Sequence, residues 1–542
     1  MQKSRVVLVI LDGWGIGPDY PGNAIKLAKT PTMDMLTNTF PHTELGAAGE
    51  YVGLPKGEDG NTETGHLNIG AGRVVYQDLP RINMSIADGG FMRNKTFLKA
   101  IAQVKKNQSN MHLLGLVGQG GVHSSNEHLY ALMRLCKEQG LERVYLHLIT
   151  DGRDSPPTSS PNYLKQVQDV INDLELGKIA TVVGRYYAMD RDHRWERIKV
   201  TYDALVDGVG EQSSDLLATV AARHAQKEND EFIKPILPLY EGAIAPRIAN
   251  GDSVIFFNYR IDRPRELTRA MTMSDQDFVH HAESFDPYAI KYNKTHLAEN
   301  AAASTKIFAR DHRPTDLCFV SMTEYEKNLP VEVAFPPEFV EMPLSRVIAL
   351  AGKRQLKLAE SEKERFVTYY FNGQRELTFP GEDIKITPSP KVATYDLMPE
   401  MSGVEQTKKL LQAIEGELYD FIVINYPNPD MVAHTGNLKA AIEACTFTDK
   451  CIAQVYEKVM KTQGVTMLIS ADHGNVEELI SLESGGVDTE HSGFPVPLLI
   501  VGREYLNRGK SLPRGVLADI APTILKIMGL NKPSSMTGKS LL

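Results

Sequence analysis

The chain has 542 residues, of which 42% are hydrophobic and 23% charged, and its net charge is -9. This length predicts two to three domains, while the acidic balance argues against a general binder of nucleic acids or anionic membranes, because such partners select for basic surfaces. No apolar stretch approaches the length that spans a bilayer. The four cysteines form no CxxC pair, which argues against a disulfide framework or a thiolate zinc site and favours a reduced, cytoplasmic compartment.

The first predicted strand covers residues 6–11, a continuous apolar run that follows Lys3 and Arg5. The run is too short for a signal peptide, and it ends at Asp12 rather than at a small-residue cleavage site. Continuous apolar runs are typical of strands that are covered on both faces of a sheet. Asp12 is therefore a candidate functional residue at a strand end, although a carboxylate there also fits a simple capped turn.

The next informative stretch, residues 60–73, reads Gly-Asn-Thr-Glu-Thr-Gly-His-Leu-Asn-Ile-Gly-Ala-Gly-Arg. Glycine permits a sharp turn, and the residues after Asn61 are predicted to open a helix whose N-terminal amides face a hydroxyl or a phosphate. The hydroxyl of Thr62 is a candidate nucleophile, which needs a metal or a base because a threonine alcohol is almost fully protonated at neutral pH. A glycine-rich loop with Thr62 as the helix N-cap is the structural alternative.

Four apolar runs in the second block of the chain, which extends from about residue 77 to 332 between a first and a third block, are predicted strands, and arginine or histidine follows each of them. The runs are residues 111–117, 144–150, 179–183 and 253–257, and the side chains that follow are His123, Arg153, Arg185, Arg191, Arg260 and Arg263, with the acidic Asp154 next to Arg153. Helices predicted at 127–139 and 161–174 fit the crossovers of a parallel sheet. One edge of such a sheet would gather these cations into a site for a multiply anionic small molecule. Each arginine alone also fits a surface ion pair.

Two further predicted strands in the third block end in acidic and imidazole side chains. These strands are residues 421–426 and 465–470. Asp430 and His434 follow the first strand, and their spacing of four puts both side chains on one face if the segment is helical. Asp472 and His473 follow the second strand, a pair that also fits an ordinary turn. Asp/His pairs of this kind are half-sites for a divalent metal.

His491 precedes another apolar run. Lys363 follows a predicted strand, and its ammonium could either reach the same site as the Asp/His pairs or remain in solvent, as lysines usually do. One sheet edge shared by the first and third blocks would bring together Asp12, Thr62, Asp430, His434, Asp472, His473 and His491. Two Asp/His clusters and a hydroxyl predict two divalent metals, one that activates the nucleophile and one that holds the oxygens of the transferred group.

From residue 11 to His491, the chain resembles the cofactor-independent phosphoglycerate mutases of the alkaline phosphatase superfamily. The matching motifs are Leu-Asp-Gly-Trp-Gly at 11–15, Gly-His-Leu-Asn-Ile-Gly-Ala-Gly-Arg at 65–73, Gly-Gly-Val-His-Ser at 120–124, Asp-Gly-Arg-Asp at 151–154, Gly-Arg-Tyr-Tyr-Ala-Met-Asp-Arg at 184–191, Pro-Ser-Pro-Lys-Val-Ala-Thr-Tyr-Asp at 388–396, Asn-Pro-Asp-Met-Val at 428–432 and Ala-Asp-His-Gly-Asn at 471–475. The resemblance implies a two-domain α/β fold, with a phosphatase-like metal domain at 1–76 and 335–542 and a phosphotransferase domain at 77–334 inserted into it.

The resemblance also implies interconversion of 3-phosphoglycerate and 2-phosphoglycerate through a phosphoenzyme, without 2,3-bisphosphoglycerate. One Mn²⁺ would be held by Asp430, His434 and His491, and the other by Asp12, Thr62, Asp472 and His473. The substrate would be bound by His123, Arg153, Asp154, Arg185, Arg191, Arg260, Arg263 and Lys363. Asp154 would be the acid-base partner of the substrate hydroxyls. We expect a cytoplasmic monomer with no nucleic-acid or membrane partner.

The family pattern reads Gly-Asn-Ser-Glu-Val-Gly-His, and this chain has Thr62 in place of its serine and Thr64 in place of its valine. Threonine keeps the hydroxyl, but its methyl group restricts the rotamers, and a small misplacement can cost about a hundredfold in rate. We predict an active mutase in which Thr62 is phosphorylated and two domains, hinged near 76–78 and 329–337, close to exclude water. The alternatives are a two-metal phosphatase, a mutase for another phosphosugar and a non-catalytic, metal-stabilised binding module.

Overall fold

The computed structural model describes residues 4–282, 307–506, 508 and 511–542. The chain divides into a first unit, Met1–Gln77 with Glu338–Leu542, and a second unit, Asp78–Pro337. Both units contain a sheet and helices, which confirms the predicted α/β class.

The strands of the described residues are β1 Arg5–Leu11, β2 His42–Gly46, β3 Met111–Val117, β4 Val144–Thr150, β5 Lys178–Gly184, β6 Glu211–Ser213, β7 Ile236–Tyr240, β8 Ala243–Ile244, β9 Ser253–Phe256, β10 Cys318–Thr323, β11 Glu332–Phe335, β12 Gln355–Glu360, β13 Glu382–Thr387, β14 Phe421–Tyr426, β15 Val465–Ser470, β16 Val496–Val501 and β17 Gly515–Val516. The α-helices of the same residues are α1 Ala24–Leu27, α2 Pro31–Thr39, α3 Thr62–Ala71, α4 Asp78–Ala87, α5 Lys95–Asn107, α6 Asn126–Glu138, α7 Ser160–Leu174, α8 Arg185–Ala188, α9 Trp195–Val206, α10 Leu216–Ala225, α11 Arg265–Thr272, α12 Asp275–Ala282, α13 Leu344–Leu350, α14 Gly403–Glu415, α15 Asn428–Ala433, α16 Leu438–Lys461 and α17 Ile520–Ile527.

The first unit is built on a sheet with the strand order β13-β12-β14-β1-β15-β16-β2-β17. The strands from β13 to β15 in this order are parallel, and β16 is antiparallel to both of its neighbours. Val9 of β1 lies beside Ile424 of β14 and Ile469 of β15, all fully buried. Because parallel strands end at the same edge, the loops after β1, β14 and β15 start side by side.

Helix α3 packs closely against the segment that contains the π-helical turn Phe366–Tyr370. A Cβ on Gly70 would lie 2.1 Å from the carbonyl oxygen of Phe371, so the helix approaches this backbone more closely than a side chain allows. We therefore expect Gly70→Ala to lower the free energy of unfolding by about 1–3 kcal/mol, as overpacking of a core does. Urea unfolding measures the change.

A matched control for this substitution is Gly486→Ala in an exposed loop, where the nearest atom to the added Cβ lies at 3.5 Å. This variant should unfold within about 0.5 kcal/mol of the parent protein. Equal stability of the Gly70→Ala and Gly486→Ala proteins would contradict the close approach of α3.

The second unit is built on a sheet with the order β11-β10-β9-β3-β4-β5-β7-β6, in which β8 also pairs with β7. Strands β9, β3, β4 and β5 are parallel neighbours, and β3 is buried along its whole length. Helices α6 and α7 follow β3 and β4 as crossovers. The loops after these four strands therefore meet at one edge of the sheet, and they contain the predicted cationic side chains.

Candidate active site

Asp12 and Asp472 lie just after the ends of two adjacent strands, β1 and β15, and both are fully buried. The backbone N–H of Gly13 donates to Asp472 Oδ1 at 3.3 Å, which links the two loops directly. Asp430 follows β14, on the other side of β1, and lies at the start of α15. The sheet register thus brings together three carboxylates that are far apart in the sequence.

Thr62 is the first residue of α3 and is buried. The helix is capped by Asn61, whose side-chain oxygen accepts the N–H of Thr64 at 2.9 Å, so the alternative in which Thr62 is the N-cap is wrong. The Thr62 hydroxyl instead lies 2.9 Å from His473 Nε2 and 3.1 Å from Lys363 Nζ. The hydroxyl is therefore oriented by His473 and Lys363 and does not cap its own helix.

The carboxylates and imidazoles of this edge form two groups with the spacing of metal ligands. In each group the potential ligand atoms lie within 4.8 Å of one another, and the groups are Asp430, His473 and His491, and Asp12, His66 and Asp472. His434 adjoins the first group, with Nε2 at 3.3 Å from Asp430 Oδ1 and 3.2 Å from His491 Nε2. Carboxylate oxygens and imidazole nitrogens together suit divalent ions such as Mn²⁺ and Zn²⁺, so the donor set fits a two-metal centre.

This geometric grouping differs from the predicted ligand sets in two respects. His473 lies within ligand distance of Asp430 and His491 as well as beside Asp12, to which its Nε2 is 3.4 Å distant. His66 was not predicted, yet its Nδ1 is 3.2 Å from Asp472 Oδ2. The spacing of four between Thr62 and His66 on a predicted helix was the sequence signal for this residue.

Lys363 lies inside this cluster, where its ammonium donates to Asp12 Oδ1 at 2.8 Å and to Asp430 Oδ2 at 2.7 Å. Burial opposes its charge, but the aspartates, led by Asp12, raise the pKa of Lys363 above its ordinary value. Burial also opposes the charge of Asp430, yet the Lys363 ammonium holds the pKa of Asp430 well below its usual range. Lys363 and Asp430 both stay charged because each charge stabilises the other. The buried carboxylates also create a strong electrostatic field that attracts cations.

The second unit contains a cavity of about 240 Å³ that is lined largely by arginines. Its charged lining is Arg153, Arg185, Asp190, Arg191, Asp192, Arg194, Arg197, Glu231 and Arg263. Four of the predicted residues therefore line one cavity, and Arg194 and Arg197 were missed. The signal for them was the spacing of three between arginines from Arg191 onward. The arginines of this lining outnumber its acidic residues, so the cavity has an excess of positive charge.

Arg185 connects the cavity to the predicted acid-base residue Asp154. Its Nη1 donates to Asp154 Oδ2 and to Asp151 Oδ1, both at 2.5 Å, and its Nη2 is 3.0 Å from His123 Nε2. Burial raises the pKa of Asp154, but Arg185 outweighs it and lowers the pKa below the ordinary value. Asp154 is thus held as a carboxylate, the form that accepts a proton from a hydroxyl.

Two other predicted residues, His123 and Arg260, lie outside the lining of this cavity. Burial, and then Arg185, lower the pKa of His123 to about 4, so the ring is neutral at physiological pH. Arg260 donates through Nε to Asp262 Oδ1 at 3.2 Å, and Asp262 also accepts from Arg191 at 2.9 Å. Arg260 therefore shares a carboxylate with a residue of the cavity.

None of the described helices combines the length and apolar character that a membrane crossing requires. Residues 82–327 match the family model described as BPG-independent PGAM N-terminus. The 2,3-bisphosphoglycerate-independent phosphoglycerate mutase of Chloroflexus aggregans is 49% identical over 100% of this chain and 99% of its own length. The enzyme of the same name from Clostridium botulinum (strain ATCC 19397 / Type A) is 45% identical over 100% of both chains.

Among solved structures, the phosphoglycerate mutase of Leishmania mexicana, studied at low cobalt concentration, is similar with a TM-score of 0.57 and 27% identity. The match covers 100% of this chain and 98% of that one. Along its whole length, this chain shares nearly half of its residues with the Chloroflexus enzyme. The chain therefore belongs to the family of 2,3-bisphosphoglycerate-independent phosphoglycerate mutases.

Proposed function

We propose that this chain interconverts 3-phosphoglycerate and 2-phosphoglycerate through a phosphothreonine formed at Thr62. The observation that carries the proposal is the position of the Thr62 hydroxyl at the start of a buried helix, within 3.1 Å of the Lys363 ammonium and 2.9 Å of His473 Nε2. Relatives that match the whole chain are named as phosphoglycerate mutases, which supports the choice of substrate.

In the first half-reaction, Thr62 Oγ1 attacks the phosphorus of 3-phosphoglycerate, and the bond between phosphorus and O3 of the glycerate breaks. The proton of the Thr62 hydroxyl replaces the phosphoryl group on O3, so the released glycerate carries a 3-hydroxyl. In the second half-reaction, the Asp154 carboxylate accepts the proton of the 2-hydroxyl while O2 attacks the phosphothreonine and the bond between phosphorus and Oγ1 breaks. Oγ1 takes up one proton in exchange, which restores the Thr62 hydroxyl and the Asp154 carboxylate. Lys363, which donates to Thr62 Oγ1, offsets the negative charge that develops on this oxygen.

The donor set of the first unit fits two divalent ions, which we propose to be Mn²⁺. We assign one to Asp430, His434 and His491, and the other to Asp12, Thr62, Asp472 and His473, with His66 beside the second. When bound, such ions lower the pKa of a coordinated hydroxyl and stabilise charge on the transferred phosphoryl oxygens. The similar Leishmania mexicana protein was studied with cobalt, another divalent ion of this ligand preference, which supports the assignment.

We assign the carboxylate and phosphate of the substrate to the arginine-lined cavity, through Arg153, Arg185, Arg191 and Arg263. Guanidinium forks match both anions with paired hydrogen bonds. His123 and Arg260 adjoin these residues through Arg185 and Asp262. We also propose that the chain acts as a monomer in the cytoplasm. Its four buried, unpaired cysteines fit a reducing compartment such as the cytoplasm.

A substrate panel followed by phosphorus NMR tests this proposal, because the signals of both phosphoglycerates and of free phosphate are read without coupling enzymes. We expect 3-phosphoglycerate with Mn²⁺, and without added 2,3-bisphosphoglycerate, to be converted to an equilibrium mixture with 2-phosphoglycerate. Free phosphate should form only as a slow side product. Phosphate as the main product would favour a two-metal phosphatase, and faster turnover of a pentose phosphate would favour another phosphosugar mutase.

A further inference from the structure

Glu477 is a fully buried glutamate that follows the Asp472-His473 turn and is not one of the proposed metal ligands. Its Oε2 accepts the backbone N–H groups of Gly15 and Asn475, both at 2.9 Å. Its Oε1 accepts the hydroxyl of Ser492. One carboxylate thus connects its own loop with two others, the loop after β1 and the segment of Ser492.

Each of these three loops contains a proposed metal ligand. The loop of Gly15 begins with Asp12, the second contains His473, and the third contains His491. The side-chain amide of Asn475, whose backbone is held by Glu477, donates to Asp430 Oδ1 at 2.8 Å. The hydrogen bonds of a single residue therefore reach both proposed metal sites.

Glycines surround the Glu477 carboxylate and allow the loops to approach it. A Cβ on Gly15 would lie 2.2 Å from Glu477 Cδ, and a Cβ on Gly474 would lie 2.3 Å from Oε1. A Cβ on Gly17 would lie 2.9 Å from Glu477 Cγ. The loop backbones therefore pack directly on this side chain, and any side chain at Gly15 or Gly474 would separate them from it.

We propose that Glu477 is a positioning residue of the metal centre, which fixes the three ligand-bearing loops in the arrangement that binds divalent ions. The inference rests on the proposed two-metal site. A carboxylate suits this place because all three of its partners are donors, and a buried donor without an acceptor is costly. Loss of a group that orients metal ligands in this way typically lowers the metal affinity by about 10- to 100-fold.

The decisive variant is Glu477→Gln, which keeps the size of the side chain but replaces one acceptor oxygen with a donor amide. We expect it to weaken Mn²⁺ binding by about 10- to 100-fold, because a neutral amide oxygen holds the N–H groups of Gly15 and Asn475 less strongly than a carboxylate and the Ser492 hydroxyl must reverse its hydrogen bond. Electron paramagnetic resonance of free Mn²⁺, measured during titration of the metal-free full-length protein, gives the affinity independently of catalysis.

The matched control is Asp449→Asn. Asp449 is also a buried carboxylate of the first unit that accepts two backbone N–H groups, from Met33 at 2.8 Å and Thr32 at 3.1 Å, but it holds the start of α2 rather than a ligand-bearing loop. We expect this variant to lower the melting temperature of the metal-free protein while its Mn²⁺ affinity stays within about twofold of the parent, a change too small to come from a lost ligand-orienting group.

A Ser492→Ala variant removes only one of the three hydrogen bonds of Glu477, and it keeps the inference testable if Glu477→Gln does not fold. It should weaken Mn²⁺ binding in the same direction but by less. Unchanged Mn²⁺ affinity in both variants would overturn the role of Glu477, and so would an equal loss in Asp449→Asn. Absence of Mn²⁺ binding by the parent protein would instead refute the proposed assignment of Mn²⁺ to this site.

Discussion

Thr62→Ala is expected to lower the mutase rate by about 10⁴-fold or more, because it removes the proposed nucleophile and leaves only binding and charge stabilisation. The Thr62 hydroxyl has two neighbours in the cluster, His473 and Lys363, and no helix-capping role that would make the loss structural. The variant should therefore fold and should still bind Mn²⁺ through the remaining ligands. Phosphorus NMR of the 3-phosphoglycerate reaction measures the rate.

Thr62→Ser is the matched control for this prediction, since it restores a hydroxyl at the same position without the methyl group. The family pattern has serine here, and freedom from the methyl widens the choice of rotamers. We expect its rate to lie within about a hundredfold of the parent, on either side, which is the range that small changes in alignment produce. Normal turnover by Thr62→Ala would show that another group accepts the phosphate.

Removal of divalent metal is expected to abolish turnover, with a loss on the order of 10³-fold or more, because the charge of the transferred phosphoryl group loses its main stabilisation. The metal-free cluster should remain folded, since Lys363 pairs with Asp12 and Asp430 and offsets part of the carboxylate charge. Treatment with EDTA, dialysis and addition of Mn²⁺ should remove and then restore activity in the NMR assay.

The control for metal removal is an equal concentration of EDTA saturated with Mn²⁺ before it is added, which should leave the rate unchanged. The contradicting result is full activity in protein whose metal content, measured by mass spectrometry, is negligible. Activity that is lost but does not return with Mn²⁺ while it returns with another divalent ion would keep the two-metal centre and change only the identity of the metal.

The central strands could be predicted from the sequence because each is covered on both faces and reads as an unbroken apolar run. The runs at 111–117, 144–150 and 421–426 coincide with β3, β4 and β14. Helix α6, predicted at 127–139, is found at Asn126–Glu138. Periodicity and strand ends were thus sufficient to place Asp12, Asp430 and Asp472 at one edge of a sheet.

The remaining site residues could not be predicted in this way, because their roles depend on contacts between loops that no local pattern contains. His66 lies within a glycine-rich helix, and Glu477 lies in a loop where a glutamate would normally be exposed. The sequence left open whether Lys363 reaches the site or stays in solvent, and its ammonium lies buried between Asp12 and Asp430. Its contact with the substrate stays a prediction. Only the register of β1 with its neighbours shows which distant residues meet there.

Transfer of phosphate through Thr62 is tested most directly by trapping. The Mn²⁺-loaded protein is mixed with 3-phosphoglycerate labelled with ³²P, quenched in acid within one turnover and digested, and the labelled peptide is sequenced. The predicted result is acid-stable label on Thr62, and none on protein that carries Thr62→Ala. Label on a different residue, or a mixture of both phosphoglycerates formed with no labelled protein at any quench time, would contradict the phosphothreonine mechanism.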